Sequence, residues 1–240
     1  MEEAYKYKRV LIKLSGEALK GDSPTGFSGP AVTRIVELIK SVIDNGIEVA
    51  LVIGAGNLWR GVNGSNRGMD RVSADYMGML ATVMNALCVK DAFDAAGIGA
   101  EVQTSIPMEP VAPRYNRAAA LAALESGKVV IFAGGTGSPF FTTDTTAVLR
   151  ALETDCEAVL KATKVDGIYT TDPMKDPDAV RYEEITYEEA LSKQLKIMDS
   201  TAFAMCSDNN LPIIVFNFSD PENLDKVLQG DTSIATIVGR

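Results

Sequence analysis

The chain has 240 residues, 46% of them hydrophobic, with three cysteines, no histidine and 32 acidic against 23 basic side chains. A net charge of −9 argues against a broad phosphate-backbone surface for nucleic acid, and the missing imidazole excludes Ser-His-Asp, Cys-His and histidine-metal chemistry. The length is enough for a sizeable core without disulfides.

Cys88, Cys156 and Cys206 are widely spaced with no CxxC pair, which argues against a disulfide framework or zinc site and suits a reducing cytoplasm. They read as buried small apolar residues. The charged start leads into no apolar signal segment, and no unbroken apolar run approaches the roughly 18 residues needed to span a bilayer. A soluble, unexported protein with no membrane partner is expected.

In chain order, Arg9–Leu14 (RVLIKL) reads as a buried strand whose end carries Lys13 and runs into Ser15 and Gly16. A lysine at the carboxyl end of a parallel strand sits where open α/β sheets bind ligands. The plain alternative is a lysine that snorkels to solvent. Residues 21–29 form a polar loop rich in breakers. Pro30 then starts a helix with Val32, Ile35, Val36, Ile39, Val42 and Ile43 on one face, stopped by Asn45 and Gly46. Residues 47–53 are a second strand, emptying into GAGNLWRG. The GxG at 54–56 invites a dinucleotide reading, but the third glycine of GxGxxG falls on Trp59. Arg60, shortly after the strand end, is placed either to grip a phosphate bidentately or to sit in solvent. Residues 63–70 read as a mobile loop.

Ser73 is the expected cap of a long helix over 74–96, with Tyr76, Met77, Leu80, Val83, Met84, Leu87, Cys88 and Ala92 at helical spacing and Gly97 as its stop. Asp75 falls in its first turn, where the helix dipole favours a carboxylate. A short strand at 100–103, a loop stiffened by three prolines and an alanine-rich helix at 116–125 lead to a strand at Val129–Ala133. Gly134, Gly135 and Gly137 then permit backbone angles closed to other residues and let N–H groups point into one concavity that suits an anion. Thr142, Thr143 and Asp144 are good N-cap residues for the following helix, whose positive end faces the same concavity. The alternative is a plain β-to-α turn with glycines for tight packing.

Residues 158–162 form another strand, whose exit brings Lys161, Lys164 and a polar loop beside the others. The remainder reads as helices at 187–195 and Ser200–Asn209, a strand at 212–218, a short helix after Pro221 and a last strand near 233–238. Strands alternate with helices, and no linker, repeat or composition break divides the chain. The pattern predicts one domain over 1–240, of α/β class, with a mainly parallel sheet covered on both faces.

Glycine turns after several strands, isolated cations at Lys13, Arg60, Lys161 and Lys164, and no base better than a carboxylate fit phosphoryl transfer. Catalysis there is mostly positioning and charge neutralisation. A phosphate monoester, with a second pKa near about 6, is largely a ready nucleophile at neutral pH, so a phosphate acceptor suits a chain without histidine. A carboxylate acceptor would suit it too. The P-loop pattern GxxxxGK[ST] is absent.

KLSGEAL from Lys13, GNLWRG from Gly56, MGMLATVMNAL from Met77, TGSPFFTTD from Thr136 and LKATKVDGIYTTDP from Leu160 resemble the bacterial uridylate (UMP) kinases of the amino-acid-kinase fold family. The resemblance runs over essentially the whole chain. It implies a three-layer α/β/α sandwich that binds ATP and UMP at the carboxyl ends of its strands and transfers the γ-phosphoryl group. ATP phosphates are implied along Lys13, Leu14, Ser15 and Gly16, with Gly56 and Arg60 completing the grip, and the ATP nucleoside at Thr163, Tyr169 and Asp172. UMP is implied at Ala55, at Asp75 for its ribose hydroxyls, and within Thr136, Gly137, Ser138, Pro139, Phe140, Phe141, Thr142 and Thr143. Ala55 departs from relatives, which commonly show a third consecutive glycine there. The implied catalytic set is Lys13, Arg60, Asp144, which orients Lys13, and Lys161 as second cation, with Lys164 its near neighbour and rival. Mg²⁺ is implied as cofactor, held mainly by phosphates and water and by no dedicated protein ligand. Also implied are a homohexamer built as a trimer of dimers, GTP activation and UTP inhibition. FFTTD and the MGML helix separate the chain from relatives that phosphorylate a carboxylate or carbamate. Lys13, Arg60 and Asp144 together argue against a non-catalytic regulator.

Overall fold

The computed structural model of the protein describes residues 5–59, 68–171, 173 and 175–239. Arg60, Asp172 and most of the expected loop at 63–70 lie outside the described residues. Seven α-helices and ten strands are described: β1 Arg9–Leu14, α1 Gly29–Ile43, β2 Glu48–Ile53, α2 Arg71–Ala95, β3 Ala100–Thr104, α3 Arg117–Glu125, β4 Val129–Ala133, α4 Thr143–Glu153, β5 Ala158–Thr163, β6 Ile168–Tyr169, β7 Arg181–Tyr182, β8 Glu184–Thr186, α5 Tyr187–Ser192, α6 Ser200–Asn209, β9 Ile213–Asn217, α7 Asn223–Gln229 and β10 Ala235–Gly239. Eight strands form one sheet in the order β3-β4-β2-β1-β5-β9-β10-β8. It is parallel from β3 through β9, and β10 joins antiparallel to β9. The α/β expectation with a mainly parallel sheet holds.

Near-continuous Val, Ile and Leu in β1, β2, β4 and β5 is the composition of strands buried on both faces. One core sits between the sheet and α1, α2 and α7, and takes Val10, Ile12, Leu14 and Leu160. The other lies under α3, α4 and α6, and takes Leu11 and Val159. Side chains alternate along a strand, so Lys13 shares the face of Leu11, and Lys161 that of Val159. Both lysines therefore face the α4 layer. The chain leaves β1 toward β2 through α1 on one face, and leaves β5 toward β9 through α6 on the other. Between β1 and β5 lies the switch point, the crevice where open α/β sheets bind ligands.

Several elements differ from the sequence reading. The cap of α2 is Asp70, whose carboxylate accepts from Ser73 N at 3.0 Å, so the helix begins at Arg71 and Asp75 sits beyond its first turn. Over an 18-residue window α2 reaches a mean hydropathy of 1.3, long and apolar enough to cross a membrane, although charges interrupt its apolar runs; 44% of that window is buried in the fold. Helix α5 stops at Ser192, and Gln194 turns the chain with φ 53°. The short pieces β6, β7 and β8 and a 3-10 turn at Gly16–Leu19 were not foreseen. Of the cysteines, Cys156 and Cys206 are buried and Cys88 only partly so. Burial pushes the Cys156 and Cys206 thiols up to about 12.

Candidate active site

At the switch point Lys13 and Lys161 are register partners on adjacent strands. Strands lie about 4.8 Å apart, so two ammonium groups side by side would repel. Asp144, in the first turn of α4, stands over both. Its Oδ1 lies 2.7 Å from Lys13 Nζ and its Oδ2 2.9 Å from Lys161 Nζ, with all three side chains under one-fifth exposed. The Lys161 contact is an aligned hydrogen bond. The Lys13 contact is an ion pair without hydrogen-bond alignment, which leaves Oδ1 buried with no aligned donor. Burial pulls the Asp144 pKa upward, but the charges of Lys13 and Lys161 outweigh it and hold the carboxyl below its ordinary value. Lys161 Nζ also donates to Ile197 O. Lys164 is exposed and lies beyond β5, so Lys161 is the strand-end cation of this cluster.

Around this centre the backbone is held close. A Cβ on Gly16 would come within 2.3 Å of Gly54 O and 2.7 Å of Gly56 N, so the turns after β1 and β2 can meet only with glycine there. Ser15 Oγ accepts from Glu17 N and caps the 3-10 turn. The Leu14 side chain points into the core, leaving only its main chain for a ligand. Buried Asn85 of α2 donates to Gly54 O at 2.7 Å and exchanges amide hydrogen bonds with Asn57 at 2.8 and 2.9 Å.

The turn after β4 departs from the anion-nest expectation. Gly134, Gly135 and Gly137 do take positive φ, at 75°, 59° and 81°. Yet Gly134 N donates to Thr82 Oγ1 at 2.9 Å, and Gly137 N donates to Gly134 O at 3.1 Å. Two of the N–H groups are thus satisfied inside the protein. The turn instead walls a cleft lined by Ala55, Trp59, Ala74, Asp75, Gly78, Met79, Thr82, Gly135, Thr136, Phe141, Thr142 and Thr143. Six residues expected on the UMP side, Ala55, Asp75, Thr136, Phe141, Thr142 and Thr143, meet in it. Gly137, Ser138, Pro139 and Phe140 do not line it. Ala55 avoids the left-handed region, so its Cβ is accommodated without strain.

Asp75 is held ready for donors. Arg71 Nε lies 2.9 Å from each of its oxygens, Phe140 N donates to Oδ2 at 2.8 Å, and the Arg71 guanidinium lies 5.4 Å from the Phe140 ring centroid. Phe140 pays with a positive φ of 73°. Thr142 caps α4, accepting from Asp144 N at 3.0 Å, as its sequence position indicated.

Sequence reasoning missed Trp59, Gly78, Met79, Thr82, Asn85 and Asp199. The spacing of Asp75, Gly78, Met79, Thr82 and Asn85 is one helical face, a signal that was available. Asp199 carried no local signal: it caps α6 at Ala202 N and also accepts from Thr142 Oγ1 and Thr145 Oγ1, joining the starts of α4 and α6. At the other mouth of the crevice, Thr163 Oγ1 donates to Val165 O at 2.6 Å, and Tyr169 OH donates to Asp166 Oδ1 at 2.6 Å. Gly56 packs by Glu17.

Two ammonium groups in register, tied by one carboxylate at the switch point of an open α/β sheet, have the charge to receive phosphate oxygens. The chain belongs to the amino acid kinase family, whose sequence pattern matches residues 8–217. Its backbone is similar to the crystal structure of a UMP kinase from Bacillus anthracis, with a TM-score of 0.93 at 39% identity, covering 97% of this chain and 96% of that one. A UMP kinase from Ureaplasma parvum gives a TM-score of 0.92 at 36% identity, with 98% and 100% covered. A uridylate kinase from Archaeoglobus fulgidus, at 24% identity and a TM-score of 0.72, shares the fold.

Proposed function

We propose that the chain is a UMP kinase, transferring the γ-phosphoryl group of ATP to UMP to give UDP and ADP. The observation that carries this reading is the joint hold of Asp144 on Lys13 and Lys161 beside a separate cleft that contains Asp75. The centre has one more positive than negative charge, which suits equatorial oxygens that gain charge in a loose transition state. ATP phosphates would lie along Lys13, Leu14, Ser15, Gly16 and Gly56, with Arg60 on the transferring group and Thr163, Tyr169 and Asp172 around the nucleoside. UMP would occupy the cleft, its ribose hydroxyls donating to Asp75 and its base and phosphate enclosed by Thr136, Phe141, Thr142 and Thr143. The UMP phosphate is already anionic and loses no proton on attack, which matches a chain without histidine.

For Mg²⁺ the donor set fits carriage by the nucleotide. Among the described residues no group of three or more His, Cys, Asp or Glu side chains could hold a metal, and the Asp144 carboxylate is occupied by two ammonium groups. Bound to phosphate oxygens and water, the ion would shield the charge of the nucleotide.

Tyr76, Met77, Leu80 and Met84 leave an apolar stripe on the exposed side of α2, which supports a homo-oligomer with this stripe against a neighbouring subunit; the proposed assembly is a cytoplasmic hexamer of three dimers. GTP activation and UTP inhibition would act through that packing, since the opposite face of α2 lines the UMP cleft. The deciding measurement is coupled ADP release with ATP against a panel of nucleoside monophosphates and amino acids. UMP as the preferred acceptor is the expected outcome; turnover of an amino acid instead would overturn the assignment.

A further inference from the structure

Arg150 of α4 is 6% exposed and belongs to none of the groups discussed so far. Its guanidinium lies 3.6 Å from the Tyr115 ring centroid and 6.0 Å from that of Phe132. Nη1 donates to Glu153 Oε2, and Nη2 donates to Ser105 Oγ at 2.9 Å. A buried guanidinium is costly to desolvate, and an aliphatic side chain like its buried neighbours Ala147 and Ala151 would pack at less expense. What Arg150 adds is direction. The Ser105 hydroxyl has a single proton, and with its oxygen accepting from Arg150 that proton is delivered to Gly135 O, 2.6 Å away.

Gly135 belongs to the turn that walls the cleft. In a trans peptide the carbonyl and the following N–H point to opposite sides, so a Gly135 carbonyl held toward Ser105 turns the Thr136 N–H away from Ser105. Ser105 braces the other end of the turn as well: a Cβ at Gly137 would lie 3.3 Å from both Ser105 Cβ and Ser105 O. We propose that Arg150, acting through Ser105, is a positioning residue that sets the Gly135–Thr136 peptide and thereby the acceptor cleft. This rests on the reading of that cleft as the UMP site.

The test is steady-state kinetics on Ser105→Ala, Arg150→Met and the double variant, titrating UMP and ATP separately, with thermal unfolding of each. Ser105→Ala, which leaves the guanidinium stack intact, should raise KM for UMP about 5- to 10-fold while kcat and KM for ATP stay within about 2-fold, the scale of one hydrogen bond. Arg150→Met should raise KM for UMP similarly and also lower the unfolding temperature. Because the two residues form one chain, the double variant should be no worse in KM for UMP than the worse single variant. An unchanged KM for UMP in Ser105→Ala, or KM values for UMP and ATP that rise together, would overturn the proposal. Lack of UMP turnover by the wild-type protein would instead refute the acceptor reading itself.

Discussion

Asp144 answers to two ammonium groups, and this fixes how its titration acts on the fold. Its folded pKa is depressed by Lys13 and Lys161 against the opposing pull of burial, from an ordinary value of 3.8. A depressed carboxylate contributes its stabilisation in full above the unfolded value and loses it as pH falls through the folded one. In urea titrations the stability gap between wild type and Asp144→Asn should therefore be level from about pH 7 to 5 and shrink below about pH 4. A gap that widens with acid would contradict the ion-pair account. Lys161 and Lys164 give a sharper comparison, because the sequence offers both and strand register selects one. Lys161→Ala should lower kcat by about 10²-fold, the scale of a preorganised charge donor, while Lys164→Ala should leave it near wild type. Asp75 yields a third expectation. A ribose lacking one hydroxyl leaves a bond to this carboxylate unmade, so dUMP should fall below UMP in kcat/KM by at least about 10²-fold. Equal values would remove Asp75 from the ribose.

At the scale of elements, α2 connects more of the site than its sequence suggested. Its inner face binds the two glycine turns separately, Asn85 at Gly54 O and Thr82 at Gly134 N. Asn85→Ala would take the donor from Asn57 Oδ1 and from the Gly54 carbonyl, while Asn57 Nδ2 keeps its bond to Gly26 O; the cost of about 1–3 kcal/mol should be read as a drop in unfolding free energy with an unchanged m-value. The beginning of α2 was misread because Ser73 and Asp70 are both good caps, and only geometry shows the Asp70 carboxylate on Ser73 N. The helix after β4 was legible from Thr142 onward, since capping chemistry is local. The contact of Asp199 with that same helix was not, because it joins helix starts from separate parts of the chain. Strands of two or three residues such as β6, β7 and β8 carry too little alternation to announce themselves.

For the whole molecule, the alternation of strands and helices along the chain was enough to expect a parallel sheet, but not its order. Placing β5 beside β1 rather than β4 is a tertiary choice that no local pattern encodes, and it is what sets Lys161 against Lys13. The cores on the two faces share every central strand. We therefore propose one folding domain, for which fluorescence and circular dichroism should report a single coincident unfolding transition. The exposed stripe of α2 belongs to this scale too. Light scattering should give the mass of a hexamer, and Met84→Glu, at a position 54% exposed, should shift it toward smaller species without unfolding the chain. A monomeric mass for the wild type would refute the assembly.

The strand order also has a consequence during synthesis. Lys13 leaves the ribosome 131 positions ahead of Asp144, a delay of roughly 7 to 26 s at elongation rates of about 5–20 residues per second. Over that interval β1 has β2 on one side and, on the other, only the open edge that β5 will fill. An apolar parallel strand with one unpaired edge is a template for intermolecular pairing. Chains that stall before β5 emerges should thus partition to aggregates rather than accumulate as nucleotide-binding fragments, which sedimentation of chains truncated ahead of Ala158 would check.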